Sequence, residues 1–172
     1  EARQSITDKN IRAVISLRKG EVLIKLKRFF DAQESLAFGL SNIDKTNPVM
    51  AGDIVMANKR LGQLALADIN YVGAEVYYRE ALRFAATDEQ KISIFLDLTP
   101  ILIFLDTQEA LKTIEAAKRL YDNSAKSEKK VIADLELLHG RVLMNLGQTK
   151  QARTHMLKAI ENLGGLTTRV TL

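Results

Sequence analysis

Histidine, serine and acidic side chains are the residues of this sequence that could serve catalysis or metal binding. His139 and His155 are the only histidines, and they lie sixteen residues apart on different predicted helices, with no pattern of acidic ligands beside them. A metal site is therefore not predicted. The sequence also contains no G-x-S-x-G elbow, no P-loop and no G-x-G-x-x-G motif. We predict no catalytic constellation and no cofactor, and hence a protein that is not an enzyme.

The composition is that of a folded helical protein. Of the 172 residues, 47% are hydrophobic and 27% are charged, whereas only two are proline and 6% are aromatic. Residues of high helix propensity, such as Ala, Leu, Lys and Glu, dominate over the residues that favour strands. The composition therefore predicts an all-α protein, and a chain of this length can bury a substantial core.

The charge balance and the absence of cysteine limit which partners and which cellular compartment are expected for this protein. The 25 basic and 21 acidic residues are interleaved and give a formal charge of +4, whereas nucleic-acid binders usually gather basic residues into a stripe. The absence of cysteine favours a reducing cytoplasm, although periplasmic proteins can also lack it. The longest apolar stretch, 92–105, has 14 residues, fewer than the roughly 20 that cross a bilayer. We expect a protein or peptide partner, no membrane span and no nucleic-acid partner. Whether the chain forms a homo-oligomer stays open.

Small residues recur at a fixed spacing along the chain. Gly20, Gly62 and Gly140 are each followed by an alanine twelve residues later, and in a fourth, degenerate copy Leu98 takes the place of the glycine. Two helices that cross closely need glycine or alanine at the crossing, because larger side chains hold them apart. The spacing therefore predicts helical hairpins closed by one set of packing residues: Gly20, Ala32, Gly62, Ala74, Tyr78, Ala81, Ala110, Gly140, Ala152 and Ala159.

This pattern, most complete in LGQLALADINYVGAEVYYREAL at residues 61–82, resembles the tetratricopeptide repeat. The resemblance covers about residues 12–164 and implies a right-handed α-solenoid of four hairpins, or eight helices, at about 8–46, 48–87, 88–123 and 127–164. The alanines of the second helices are 42, 36 and 42 residues apart, as in the long repeats of kinesin light chains and large bacterial regulators. We expect a single domain, 1–172, from a larger protein, in which 165–172 link it to a further segment.

The resemblance also implies where a ligand would bind. In tetratricopeptide arrays the first helix of each hairpin, helix A, contributes most of a concave wall. The clamp of lysine, asparagine and arginine with which some arrays hold a peptide carboxylate is matched only in part, by Lys59 and Gln63, which argues against docking of chaperone tails. The implied wall residues are Leu17, Glu21, Ile24, Lys25, Lys59, Gln63, Leu66, Phe95, Thr99, Leu102, Asp134, Leu137, Arg141 and Asn145.

Capping and breaking residues set the predicted helix ends. The predicted caps and stops are Thr7 or Asp8 for the first helix, Thr87 with Gln90 for the fifth, Ser127 or its successors for the seventh and Gly164-Gly165 for the eighth. Pro100 lies inside the fifth helix, where it removes a backbone hydrogen bond at a cost of about 3 kcal/mol. We predict a kinked or interrupted helix stabilised by its apolar flanks. The alternative is that part of this apolar strip is exposed for docking.

These observations predict a non-enzymatic scaffold that binds a protein or peptide in the groove formed by its A helices. A first alternative, suggested by the resemblance to large bacterial regulators, is a regulatory or sensor module that controls an attached protease-like or transcriptional effector domain. A second alternative is a helical-repeat RNA binder. The weak net charge and the absence of a regular code of one base per repeat argue against it.

Overall fold

The computed structural model describes residues 2–124 and 128–164, with side chains from residue 8 onward, and within them all regular structure is helical. The α-helices are α1 (Ala2–Lys25), α2 (Phe29–Asn42), α3 (Ala51–Ala67), α4 (Tyr71–Phe84), α5 (Asp88–Leu105), α6 (Thr107–Asp122), α7 (Lys129–Asn145) and α8 (Thr149–Leu163). A short 3-10 turn, Pro48–Met50, precedes α3. The predicted all-α class is confirmed.

Consecutive helices pack in pairs: α1 with α2, α3 with α4, α5 with α6, and α7 with α8. The helices of a pair are joined by only one to three residues, so each pair is a hairpin. By their contacts the helices group into two compact units of two hairpins each, Glu1–Ala86 and Thr87–Leu172, and the single domain stays a prediction. Within the first unit α2 also packs on α3, and within the second α6 packs on α7. The right-handed solenoid stays a prediction.

All ten predicted packing residues are buried, and the three glycines among them lie in the seams between the two helices of their hairpins. A methyl group added at Gly20 would come within 2.6 Å of Leu36 Cγ, and one added at Gly62 within 2.7 Å of the Tyr78 ring. Both separations are shorter than van der Waals contact, so a larger residue would push the helices apart. In the third hairpin the glycine position is filled by Leu98, which is itself buried.

The turns of three hairpins share a residue in the left-handed conformation. Lys27, Ile69 and Gly147 have φ angles of 60°, 58° and 75°, and each follows the seam glycine by seven residues. The amide of the next residue donates to the carbonyl five positions earlier, at 2.8 to 2.9 Å, which closes the first helix of the hairpin. The third hairpin uses another turn, in which the side chain of Asp106 accepts hydrogen bonds from two backbone amides of α6.

The structure both confirms and corrects the predicted helix ends. Thr87 caps α5 as predicted, because its Oγ1 accepts from the amide of Gln90 at 3.2 Å while the Gln90 side chain accepts from the amide of Thr87. The predicted cap of the first helix at Thr7 or Asp8 is wrong. The helix begins at Ala2, since the residues before Thr7 include good helix formers that extend it. Ser127, Gly165 and the predicted linker 165–172 lie outside the described residues, and α7 begins at Lys129.

Pro100 does not interrupt its helix. α5 is continuous from Asp88 to Leu105, so of the two predicted outcomes the interruption is wrong, and the kink stays a prediction. The neighbouring Leu98, Ile101 and Leu102 are each 1% exposed, and burial of these side chains offsets the lost hydrogen bond. Neither α5 nor any other helix in the described ranges is long and apolar enough to cross a membrane.

Candidate functional site

The predicted wall residues of the first unit lie at different depths on α1 and α3. Lys25 and Gln63 are exposed, whereas Glu21 and Lys59 are half-buried. Leu17 has no exposed surface because it packs against Gly39 of α2. Its assignment to a binding wall is therefore wrong: it belongs to the seam of the first hairpin.

An ion pair joins the two A helices of the first unit. Arg18 of α1 donates to Asp53 of α3 at 2.6 Å and to Glu21 at 3.0 Å. The hydrogen bond to Glu21 and the charge of Asp53 raise the pKa of Arg18 above its ordinary value. The guanidinium is more than half exposed, so the pair contributes little stability, but Glu21 is already engaged by it.

The predicted wall residues of the second unit divide between α5 and α7. Arg141 and Asn145 of α7 are exposed, and Phe95 of α5 is half-buried. Thr99 is fully buried and its Oγ1 donates to the carbonyl of Phe95 at 2.7 Å, and Leu102 is also buried. The predictions for Thr99 and Leu102 are wrong. The face of α5 that carries these two residues is buried, whereas the corresponding face of α7 is exposed.

One face of α7 combines apolar and polar side chains at the surface. Leu137, Arg141 and Met144 follow one another at i, i+4 and i+7 and share a face of the helix. Leu137 is 43% exposed and Met144 is 47% exposed. Asn145 borders them, with its side-chain amide donating to the carbonyl of Arg141 at 3.0 Å. We call Leu137, Arg141, Met144 and Asn145 the α7 strip; the sequence analysis missed Met144.

Four ionisable side chains meet where α6, α7 and α8 converge, and the sequence analysis did not bring them together. Glu136 of α7 accepts hydrogen bonds from Nζ of Lys118 on α6 at 2.6 Å and from Nδ1 of His155 on α8 at 2.5 Å. The ring of His139 lies 4.0 Å from that of His155, centroid to centroid, and its Nδ1 is 3.4 Å from Nζ of Lys118. We call Lys118, Glu136, His139 and His155 the charged cluster.

The contacts of the charged cluster determine its protonation. Burial acts to raise the pKa of Glu136, but the hydrogen bonds from Lys118 and His155 outweigh burial and keep this pKa below its ordinary value. Burial, together with the charges of His155 and Lys118, lowers the pKa of His139 to about 4. His139 is therefore neutral at pH 7, and its Nδ1 can accept a hydrogen bond from Lys118.

The charged cluster acts as a cross-link between three helices. Both carboxylate oxygens of Glu136 are engaged, one by α6 and the other by α8. Among residues 8–124 and 128–164, no group of three His, Asp or Glu side chains is placed to hold a metal ion. In the same residues no buried side-chain polar atom lacks a hydrogen-bond partner. The cluster thus joins α6, α7 and α8 through groups that satisfy one another.

The spacing of the histidines contained a signal for this contact. Gly20 and Leu36 are sixteen residues apart and lie against each other across the first hairpin, and the same spacing joins seam residues of the second and fourth hairpins. His139 and His155 are also sixteen residues apart. The separation that argued against a shared site is therefore the separation that brings two residues together in this fold.

Neither a protein-family model nor a curated protein matches the chain. The likeness to tetratricopeptide repeats consequently depends on features internal to the chain, namely the twelve-residue spacing, the buried seams and the shared turn. The family assignment stays a prediction.

Proposed function

We propose that this chain is a non-enzymatic scaffold that binds a protein or peptide on the exposed faces of its A helices, with the α7 strip as its principal contact surface. The observation that carries the proposal is the make-up of that strip. Two exposed apolar side chains, Leu137 and Met144, flank the exposed guanidinium of Arg141 on one helix face. Arginine and methionine are enriched at protein interfaces, and arginine is among the residues that most often supply a large share of the binding energy.

The support beneath the strip favours recognition by a preformed surface. Gly140 and Ala152 are buried in the seam that joins α7 to α8, and Glu136, five residues before the strip's arginine, ties α7 to both neighbouring helices. A face held in this way loses little conformational freedom when a ligand binds, so less of the contact energy is spent on ordering the protein. Lys59 and Gln63 are the corresponding polar residues of α3 in the first unit.

A selection from random peptides tests the proposal and does not require the natural partner. A displayed peptide library is selected on the 172-residue chain, and the affinity of the recovered peptide is then measured by fluorescence polarisation. Arg141→Glu should weaken binding at least about tenfold, or about 1.4 kcal/mol, because it replaces an interface cation by an anion. Met144→Ala should weaken binding as well, because it removes an apolar contact.

The control is Arg119→Glu, which makes the same charge change at an exposed position of α6 and should alter the affinity less than about twofold, since the selected peptide does not contact it. Circular dichroism of each variant checks that the helices are intact. Unchanged binding by Arg141→Glu and Met144→Ala, or a selection that recovers no peptide, contradicts the proposal for the α7 strip.

A further inference from the structure

α1 has an exposed apolar face on the side opposite its own hairpin seam. Ile11, Ile15, Val22 and Leu26 lie along one side of the helix and are between 52% and 62% exposed. We call these four residues the α1 face. Single exposed apolar residues are ordinary, but a row of four along one helix indicates a surface that another element covers.

The equivalent face is buried in the A helix that comes second in each unit. Ile15 lies five residues before the seam glycine and Val22 lies two residues after it. The residues at these two positions of α3 and α7 are no more than 7% exposed: Ala57, Leu64, Leu135 and Val142. In each unit the preceding B helix packs on this A helix, α2 on α3 and α6 on α7. The preceding A helix packs on α3 and on α7 as well, so such a face is the place where the preceding hairpin, including its B helix, packs.

Apolar residues at these positions are not needed to form a hairpin. In α5 the two positions that correspond to Ile11 and Ile15 are Glu89 and Ser93, both exposed, and α5 still pairs with α6. The isoleucines of α1 thus serve neither the seam nor the turn of their own hairpin.

α8 exposes the complementary face of a B helix. Leu157, Ile160 and Leu163 are between 43% and 60% exposed, and we call them the α8 face. The residue of the first hairpin that corresponds to Leu163 is Ile43, which directly follows α2 and is 6% exposed within the core that joins the first two hairpins. The residue of α6 that corresponds to Ile160 is Lys118, which reaches across to α7.

We propose that the α8 face of one copy of this chain docks on the α1 face of a second copy, head to tail. The contact would repeat between two copies the packing that joins α2 to α3 and α6 to α7 within one copy. Because the two faces differ, the interface is heterologous, and each added copy leaves one face of each kind exposed. Further copies can therefore add, and the degree of association increases with protein concentration.

Sedimentation velocity of the 172-residue chain over a wide range of concentrations tests this. The weight-average mass should rise above the 19.2 kDa of one chain as the concentration increases. Ile15→Glu and Ile160→Glu should each abolish the rise, because each places a charge in one of the two faces. A mixture of the two variants should form a one-to-one dimer that does not grow, since each variant retains the face that the other lacks.

Val76→Glu is the matched control, because Val76 on α4 is as exposed as Ile15 but belongs to neither face. This variant should assemble like the parent chain. If Ile15→Glu or Ile160→Glu loses helix signal, Val22→Glu or Leu157→Glu replaces it. A chain that stays monomeric at all concentrations overturns the proposal. So does failure of the mixed variants to form a dimer, which would indicate contacts between like faces. Neither result bears on peptide binding by the α7 strip.

Discussion

The first and fourth hairpins are built on one plan but differ at a pair of facing positions next to the seam. Each has a seam glycine, an alanine twelve residues later and a left-handed residue in the turn. Four residues before the glycine, the first hairpin has Ser16, whose Oγ donates to the carbonyl of Ser35 at 2.8 Å. At the same position the fourth hairpin has Glu136, which faces His155 and also bonds Lys118. One hairpin thus has a neutral hydrogen bond where the other has an ionic link between three helices.

The difference separates two kinds of constraint in this fold. The other two hairpins have Asn58 and Ile94 at the same position, both buried, so the scaffold accepts a hydroxyl, an amide, an alkyl group and a carboxylate there. The position requires only that buried polar atoms find partners, as Asn58 does through the carbonyl of Ile54. The seam glycines are constrained instead by the distance between the two helices.

Replacement of Glu136 by alanine should produce the largest loss of stability and is the most direct test of the difference between the two hairpins. The change leaves Lys118 and His155 in a largely buried site without their acceptor, and we expect a loss of about 3 kcal/mol of unfolding free energy. The matched variant in the first hairpin, Ser16→Ala, should cost about 1 kcal/mol, the value of one neutral hydrogen bond.

Urea unfolding followed by circular dichroism measures both variants, and hydrogen exchange assigns each loss to its own unit. Because the chain has two compact units, the exchange data are needed to compare the hairpins individually. Similar losses for the two variants would mean that the charged cluster stabilises the fourth hairpin no more than a serine does the first.

Replacement of the seam glycines Gly20 and Gly140 by alanine should give a smaller difference in stability between the two hairpins. A methyl group at Gly20 meets Leu36, which is branched and fully buried, whereas one at Gly140 meets Met156, which is unbranched and half-buried. Gly20→Ala should therefore cost about 2 kcal/mol through overpacking. Gly140→Ala should cost less, about 1 kcal/mol, because methionine can move aside and alanine favours the helix, whereas the carbonyl oxygen of Ala152, 3.1 Å from the added methyl group, cannot move.

Gly52→Ala serves as the reference for helix propensity, since a methyl group at Gly52 in α3 meets nothing within 4 Å. The same urea transitions apply to all three variants. A larger loss for Gly140→Ala than for Gly20→Ala would contradict the view that the flexibility of the facing side chain decides the cost.

The sequence predicts the hairpins well because their determinants are local. A glycine and an alanine twelve residues apart, together with a cap such as Thr87 with Gln90, specify a helix, a turn and a second helix. The same periodicity specifies which face of a helix meets its own partner, but not what covers its other faces. This is why Thr99 and Leu102 of α5 are buried although they occupy positions that the family resemblance assigns to a binding wall.

The charged cluster could be predicted only in part. The sixteen-residue spacing of His139 and His155 follows from the hairpin, and so does the contact between Glu136 and His155, which repeats that of Ser16 and Ser35. Lys118 comes from a neighbouring hairpin. Its approach depends on packing between hairpins, which the twelve-residue spacing does not determine, because the distance between successive alanines varies along the chain.

Lowering the pH should produce the smallest loss of stability, and this loss should be confined to the second unit. The pKa of His139 falls from 6.5 in an unperturbed side chain to about 4 in the folded protein, so between these values the unfolded chain binds a proton that the folded protein does not. Stability is therefore complete above pH 6.5 and decreases as the pH falls toward 4. We expect a loss of about 1 kcal/mol between pH 7 and pH 5, less than the full shift implies because His139 keeps some contact with solvent.

The first hairpin is the internal control, since Ser16 and Ser35 do not titrate and its seam should keep its protection from hydrogen exchange over the same range. The lowered pKa of Glu136 adds a loss in the same direction only near and below its ordinary value of 4.5. Within the fourth hairpin, His139→Gln keeps a polar side chain beside Lys118 but cannot take up the proton, so this variant should flatten the dependence of stability on pH. Protection that falls equally in both hairpins, or a His139→Gln variant that retains the dependence, would show that another group titrates in this window.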